Sequence, residues 1–181
     1  MFTKDVQYNN FVNDFSSKLY NLKSETPFTD YIFLCVGSDR ITGDAYGPLV
    51  GENLKKLFKN FYKNVRVVGT LENPVSGSNL EKEVENIINT YKNPCIIAVD
   101  AAFSKKEDIG KIVVSNSKIK FGKGTNKKMI EVGDISIKGI VARDYNIPRY
   151  NFKELQNTSL NIVINLANIT ADGIYNVIKY K

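Results

Sequence analysis

Apolar residues in the first third of the chain recur with two spacings, and each predicts a different element. Positions three to five residues apart, typical of a helix with one apolar face, come first, at Val6, Phe11, Phe15, Leu19 and Leu22. Residues 31–36 then form an unbroken apolar run closed by Gly37, typical of a strand buried on both faces of a parallel sheet. Helical spacing returns over residues 49–61, behind Pro48, a residue favoured in a first helical turn.

The same alternation continues through residue 99. Val65–Val68 is a short strand candidate, and residues 80–91 repeat with helical spacing until Asn93 and Pro94 break it. Residues 95–99 are again continuously apolar. Strands that alternate with helices over short connections indicate crossover units with parallel strands. We therefore predict an α/β fold of three layers, in which helices flank a mainly parallel sheet.

The second half of the chain has a different pattern. Residues 111–114, 119–121 and 135–141 resemble strands with no helix between them, which predicts an antiparallel or mixed edge with a hairpin extension. Residues 160–178 are apolar around most of the helical circumference, and residues 157–159 are capping candidates. The chain is therefore predicted to close with a largely buried helix.

Length and composition fit one domain over residues 1–181. A chain of 181 residues buries roughly two-thirds or more of its unfolded surface. Apolar residues make up 43% and charged residues 24%, and no apolar run approaches the length of about 20 residues that a membrane span requires. The first residues carry Asp5 and Asp14 and lack the basic start of a secretory signal. We expect a soluble cytoplasmic protein without a membrane partner.

The chain contains no histidine, which narrows its chemistry. Ser-His and Cys-His hydrolase mechanisms are excluded, as are imidazole metal ligands. Cys35 and Cys95 lie in apolar runs, where a thiol is expected to act as a small buried hydrophobe rather than in a disulfide or redox pair.

The net charge of +6 has no pattern that favours a nucleic-acid partner. Lysine clusters at residues 55–56, 105–106 and 123–128 lack interleaved aromatic residues or a known motif, and solvated faces explain them. The glycines of residues 37–47 do not fit a nucleotide-binding loop. Residues 122–128 offer amides and lysines to an anion, although a polar turn is the expected structure.

Two aspartates follow predicted strands and are the candidate catalytic residues. Asp44 precedes the helix after the first strand, and Asp100 is predicted to end the third strand. Loops at the carboxyl ends of parallel strands converge, so neighbouring strands would bring both side chains to one cleft. At about 4 Å apart, two carboxylates repel by about 4 kcal/mol at an effective dielectric of 20, so they would share one proton. We assign Asp44 as the base, because a helix N-terminus favours an anion, and Asp100 as the acid.

Local structural roles are the alternative for both residues. An aspartate before a helix is often a cap, and one at the end of a strand often bonds neighbouring amides. A third hypothesis combines Asp44 and Asp100 with Asp39 or Asp134 in a metal site, where oxygen ligands would suit magnesium or calcium. Turn-capping or solvated roles are at least as well supported for Asp39 and Asp134.

Longer segments resemble a known family. FLCVGSDRITGDAYGPLVGENL is similar to the signature of the YyaC-like sporulation proteins, and VVGTLENPVSGSNL, IIAVDAAF and VGDISIKGIV continue the likeness in the same order. These proteins are related to the spore germination protease and more distantly to hydrogenase maturation proteases, which implies a phosphorylase/hydrolase-like fold. The resemblance places Asp44 of GDAYGP and Asp100 of VDAA at the positions of the germination protease's catalytic aspartates. Hydrogenase maturation proteases hold acidic nickel ligands there, joined by a histidine that this chain lacks.

The resemblance implies an aspartate-dependent endopeptidase without metal or cofactor, acting on a protein or peptide in the cytoplasm of the sporulating cell or forespore. A homo-oligomer is compatible with the sequence. The alternative is a catalytically silent protein that uses the same cleft to bind a peptide or partner. A net charge of +6 would repel basic DNA-coating proteins, so the germination protease's own substrates are not implied.

Overall fold

The computed structural model describes residues 4–59, 62–121 and 130–180. Its helices are α1 (Lys4–Glu25), α2 (Tyr46–Phe58), α3 (Leu80–Thr90), α4 (Pro148–Asn157) and α5 (Leu160–Lys179). Its strands are β1 (Tyr31–Cys35), β2 (Val65–Val68), β3 (Cys95–Ser104), β4 (Ile112–Ser115), β5 (Ile119–Phe121), β6 (Ile130–Val132) and β7 (Ile135–Arg143). Short 3-10 helices occupy Gly43–Ala45 and Lys106–Asp108.

Five strands form one mixed sheet in the order β2-β1-β3-β7-β4. The first four run parallel, and β4 pairs antiparallel with β7 at the edge. Strands β1 and β3 are direct neighbours, with Tyr31 opposite Cys95 and Cys35 opposite Val99. The predicted α/β fold with a mainly parallel, mixed sheet is confirmed, and β5 pairs antiparallel with β6 in a separate two-stranded sheet.

Helices cover both faces of the sheet and complete three layers. On one face, α1, α2 and α5 bury side chains that include Phe15, Val50 and Leu166. On the other face, Leu80 and Ile87 of α3 pack with Ile32 and Leu34 of β1. Burying the apolar stripe of each helix against the sheet stabilises the fold by roughly 25 cal/mol per Å² of apolar surface removed from water.

The structure differs from the sequence prediction in two elements that were missed. Helix α4 is short and mostly on the surface: Tyr150 and Phe152 are exposed, and Leu155 packs partly buried against the core. Strand β6 is only three residues long. Of the capping candidates for α5, Ser159 holds the N-cap position, without a side-chain cap hydrogen bond.

Strand β3 is longer than predicted, which changes the position of Asp100. The strand was expected to end there, but it continues to Ser104 because Ala101 and the residues after it keep pairing with β7. Asp100 therefore lies inside β3, opposite Lys138. It is nevertheless the first residue of β3 beyond the end of β1, so it still lies at the carboxyl edge of β1.

Candidate functional site

Asp44 is held above the end of β1 by a loop that folds back tightly on itself. Gly37 has a φ of +144°, and a Cβ there would lie 2.1 Å from the Asp44 carbonyl oxygen, so only glycine fits. The Ser38 N–H donates to that same carbonyl oxygen at 3.2 Å. The N-cap of α2 is Ala45, with no side-chain cap, so Asp44 does not cap this helix. The capping interpretation of Asp44 is therefore wrong.

Asp44 and Asp100 are close enough for their charges to interact. Both residues are partly buried. The pKa of Asp100 is raised well above its ordinary value, first by burial and then by the negative charge of Asp44. A hydrogen bond from the Ala101 N–H and the positive charge of Lys138 oppose that rise. The pKa of Asp44 is also raised by burial, but a hydrogen bond from the Ser38 N–H counteracts it.

This environment makes the two carboxyl groups unequal. Burial raises the pKa of both carboxyl groups, and each has a backbone N–H donor that favours its ionised form, but the charge of the neighbouring aspartate adds to the rise at Asp100. The pKa is raised further at Asp100 than at Asp44, which is the order that an acid at Asp100 and a base at Asp44 would require. Proton release is a property of the coupled pair rather than of either residue alone.

Lys138 is a site residue that sequence reasoning missed. It lies directly opposite Asp100 on β7 and is partly buried, and it is the cation that acts on the carboxyl group of Asp100. The residue has no distinctive neighbours in the sequence, and only the register of β3 against β7 brings it to the site.

Tyr46, within the GDAYGP motif, is buried between β7 and α5. Its side chain is fully buried, and its hydroxyl shares a 2.7 Å hydrogen bond with Thr170 of α5. A Cβ at Gly139 would lie 2.6 Å from the Tyr46 ring, so the ring packs directly on β7. Burial raises the pKa of Tyr46, and the charge of Asp100 contributes to the rise. Its position two residues after Asp44 was the signal that could have identified it.

The other acidic candidates do not join the pair. The Asp134 carboxylate accepts a 2.8 Å hydrogen bond from the Ile96 N–H at the amino end of β7, four positions before the level of Asp100 and Lys138. Asp39 is exposed in its loop. Among the residues that the structure describes, no three acidic or cysteine side chains form a metal-binding group. The proposed metal site is therefore not assembled there, and residues 122–128, the anion-binding alternative, lie outside the described residues.

Both cysteines are buried free thiols, as predicted. Burial raises the pKa of Cys35, and burial together with the charge of Asp134 raises the pKa of Cys95 to about 12. A thiol with a raised pKa is a poor nucleophile, so these residues act as core hydrophobes.

A cleft of about 460 Å³ opens at the carboxyl end of β2. Val68, Val75 and Pro74 contribute to its apolar wall, and Glu72 and Glu83 are among its polar residues. The cleft is not lined by Asp44 or Asp100. It meets their loop at Val75, whose carbonyl accepts a 2.7 Å hydrogen bond from the Gly37 N–H.

The architecture is that of an α/β protein with the fold of a maturation protease. The crystal structure of a [NiFe] hydrogenase maturation protease HycI from Thermococcus kodakarensis KOD1 matches it with a TM-score of 0.57 at 18% identity, over 89% of this chain and 98% of that chain. At this identity the likeness shows the fold alone.

The chain belongs to the family described as Protein of unknown function (DUF1256), whose model matches residues 3–173. It is 39% identical over 144 residues to the Uncharacterized protein YyaC of Bacillus subtilis (strain 168). The matched region covers 79% of this chain and 67% of that protein. Within the part of the chain that the structure describes, no helix is both long and apolar enough to cross a membrane.

Proposed function

We propose that this protein is an aspartate-dependent endopeptidase that uses Asp44 and Asp100 to hydrolyse a peptide bond. The observation that carries the proposal is the pair of carboxyl groups at the carboxyl edge of β1, in which burial and the charge of Asp44 raise the pKa of Asp100. The protease-like fold supports it at the level of architecture.

The proposed reaction needs one base and one acid. The Asp44 carboxylate takes a proton from water as the water oxygen bonds to the scissile carbonyl carbon. Asp100 then gives its proton to the leaving nitrogen as the C–N bond breaks, and the proton on Asp44 returns to Asp100 through solvent. General acid and base catalysis of this kind contributes about 10²–10⁴-fold each. The Lys138 ammonium, next to Asp100, would stabilise the negative oxygen that forms on the carbonyl carbon.

Sporulation is the proposed setting. It rests on the resemblance of GDAYGP and VDAA to motifs of the YyaC-like proteins and the germination protease. The substrate would be a protein or peptide in the cytoplasm of the sporulating cell or forespore, and no metal or cofactor enters the proposed reaction.

The test compares cleavage by the wild type and by Asp44→Asn or Asp100→Asn. Each protein is incubated with sporulating-cell extract, and new peptide termini are identified by mass spectrometry. We expect termini that only the wild type produces, with a loss of at least about 100-fold in either variant, because each removes a proton-transfer group. Asp30→Asn is the matched control, since Asp30 lies just before β1, at the opposite end of that strand from Asp44.

Two outcomes would contradict the proposal. Cleavage retained in Asp44→Asn or in Asp100→Asn would remove the replaced residue from the reaction and with it the paired mechanism. An extract without wild-type-specific termini, combined with capture of one peptide by wild type and variants alike, would favour the catalytically silent binding protein.

A further inference from the structure

The cleft at the carboxyl end of β2 has the features of a site for a long cationic side chain. Its apolar wall, which includes Val68, Pro74 and Val75, suits the methylene stem of a lysine or arginine. Glu72 and Glu83 supply two carboxylates, whereas Lys55 is the one basic residue among the described residues that line the cleft. The cleft is thus locally acidic on a chain whose net charge is +6.

The charged groups of the cleft leave a negative charge for a ligand. Lys55 contacts Glu72 at 3.7 Å, with 59% and 76% of the two side chains exposed, so this ion pair is weak and open to exchange. The carboxylate of Glu83 is partly buried and has no hydrogen bond or ion pair with the described residues. The helix dipole also stabilises an acidic residue in the first turn of α3, but that role does not require the residue to line a cleft.

The cleft is preformed by its own loop. The Asn79 side chain accepts a hydrogen bond from the Ser76 N–H at 2.8 Å and donates to the Pro74 carbonyl at 3.1 Å. The Thr70 N–H donates to the Asn73 carbonyl at 3.1 Å, and the Asn73 N–H returns a bond to the Thr70 hydroxyl. Binding of a ligand in this cleft therefore loses little conformational entropy in the loop.

The distance to the aspartates fits an extended peptide. Strands β2, β1 and β3 are consecutive in the sheet, so the end of β2 lies two strand spacings from β3, roughly 10 Å. An extended chain covers that distance in about three residues. We propose that this cleft selects substrates with a lysine or arginine about three residues from the scissile bond. The distance from the scissile bond rests on the proposed peptidase function, whereas binding of the cationic side chain in the cleft does not.

Binding is tested first, because it does not depend on cleavage. Capped Ala-Lys-Ala, Ala-norleucine-Ala and Ala-Glu-Ala are titrated into the isotope-labelled protein, and amide NMR shifts are followed over residues 69–83. We expect the lysine peptide alone to shift these amides, and its Kd to rise at least about fivefold in Glu72→Gln/Glu83→Gln. The control Glu81→Gln/Glu85→Gln makes the same change in charge on the exposed face of α3. Equal shifts with the glutamate peptide, or an unchanged Kd in the cleft variant, would overturn the inference.

The cleavage sites then test the position. Termini made only by the wild type should show lysine or arginine enriched at one fixed place, about three residues from the cut. Cleavage without such enrichment overturns the selectivity while the peptidase function stands. Binding of the lysine peptide without any cleavage has the opposite meaning, because the cation site then survives and the peptidase function fails.

Discussion

Asp100 is a carboxyl group placed where its charged form is disfavoured. Burial is the largest cause, the charge of Asp44 adds to it, and the Ala101 N–H and Lys138 compensate only in part. A raised pKa in the folded state means that the native protein binds the proton more tightly than the unfolded chain does. Its contribution to stability is therefore complete below the unfolded pKa of about 3.9 and is lost as the pH rises through the folded pKa.

Replacing this carboxyl group should stabilise the protein at neutral pH while abolishing cleavage. The asparagine in Asp100→Asn cannot ionise. We therefore expect the free energy of unfolding of this variant to be about 1 kcal/mol higher than that of the wild type at pH 7.5, which is the usual size of a stabilising substitution. The difference should disappear near pH 3, where the aspartate is neutral in both states. Urea unfolding at the two pH values measures it.

Asp108 provides a control of opposite sign. Hydrogen bonds from Lys111 and Ser104 lower its pKa, so its contribution is present above the unfolded pKa and is lost as the pH falls. Asp108→Asn should therefore be less stable than the wild type at pH 7.5, with the gap closing at low pH. A gain in stability from Asp100→Asn that is equal at both pH values would contradict the assigned cause.

Lys138 is expected to set how firmly Asp100 holds its proton. Its positive charge lowers the pKa of Asp100, so Lys138→Met should raise that pKa further. A carbon-13 NMR titration of the Asp100 carboxyl measures the shift without a substrate. Lys138→Arg keeps the charge and should titrate close to the wild type. An unshifted titration in Lys138→Met would place the ammonium too far from the pair to take part in the reaction.

At the scale of elements, the site depends on how closely α2 approaches the end of β1. A Cβ on Gly47 would lie 2.0 Å from the Val36 carbonyl oxygen, and one on Gly51 would lie 1.9 Å from that of Gly69. Backbone atoms cannot move aside as a flexible side chain can. The small residues of the GDAYGP segment and the following turn therefore keep the helix, and Asp44 with it, against the sheet.

Gly47→Ala should separate these elements. Because the added methyl group meets backbone, we expect a loss of about 3 kcal/mol in the free energy of unfolding, at the upper end of overpacking effects, together with loss of cleavage. Gly77→Ala is the matched control, since a Cβ there has no atom within 4 Å among the described residues and should leave stability within about 0.5 kcal/mol. Chemical denaturation of the two variants makes the comparison. Equal stability in both would show that α2 can shift without cost.

At the scale of the whole molecule, the candidate chemistry is gathered on one edge of the sheet. The cleft beyond β2, Asp44 above β1 and Asp100 on β3 follow the strand order. Asp134 lies at the amino end of β7 and bonds the β3 backbone, a structural role. This division follows from parallel strands, whose carboxyl ends lead into converging loops.

The sequence by itself determined the alternation of strands and helices and the two aspartates. Continuous apolar runs such as residues 31–36 identify strands because both faces of a parallel sheet are buried. Asp44 and Asp100 were identified because each follows such a run, and the local sequence also indicated the hairpin extension. Helix α4 escaped detection because it is short and two of its apolar side chains, Tyr150 and Phe152, are exposed, so they do not mark a buried face.

Only the tertiary structure decided which residues meet. Strand β3 extends past Asp100 because β7 offers further backbone partners, and the same register places Lys138 opposite the carboxyl group. The cleft arises where β2, the loop after it and the start of α3 come together. The raised pKa of Asp100 likewise depends on burial and on a charge 56 positions away in the chain, at Asp44. Local sequence patterns predict elements, whereas pairing, burial and electrostatic coupling are set by contacts between residues distant in the chain.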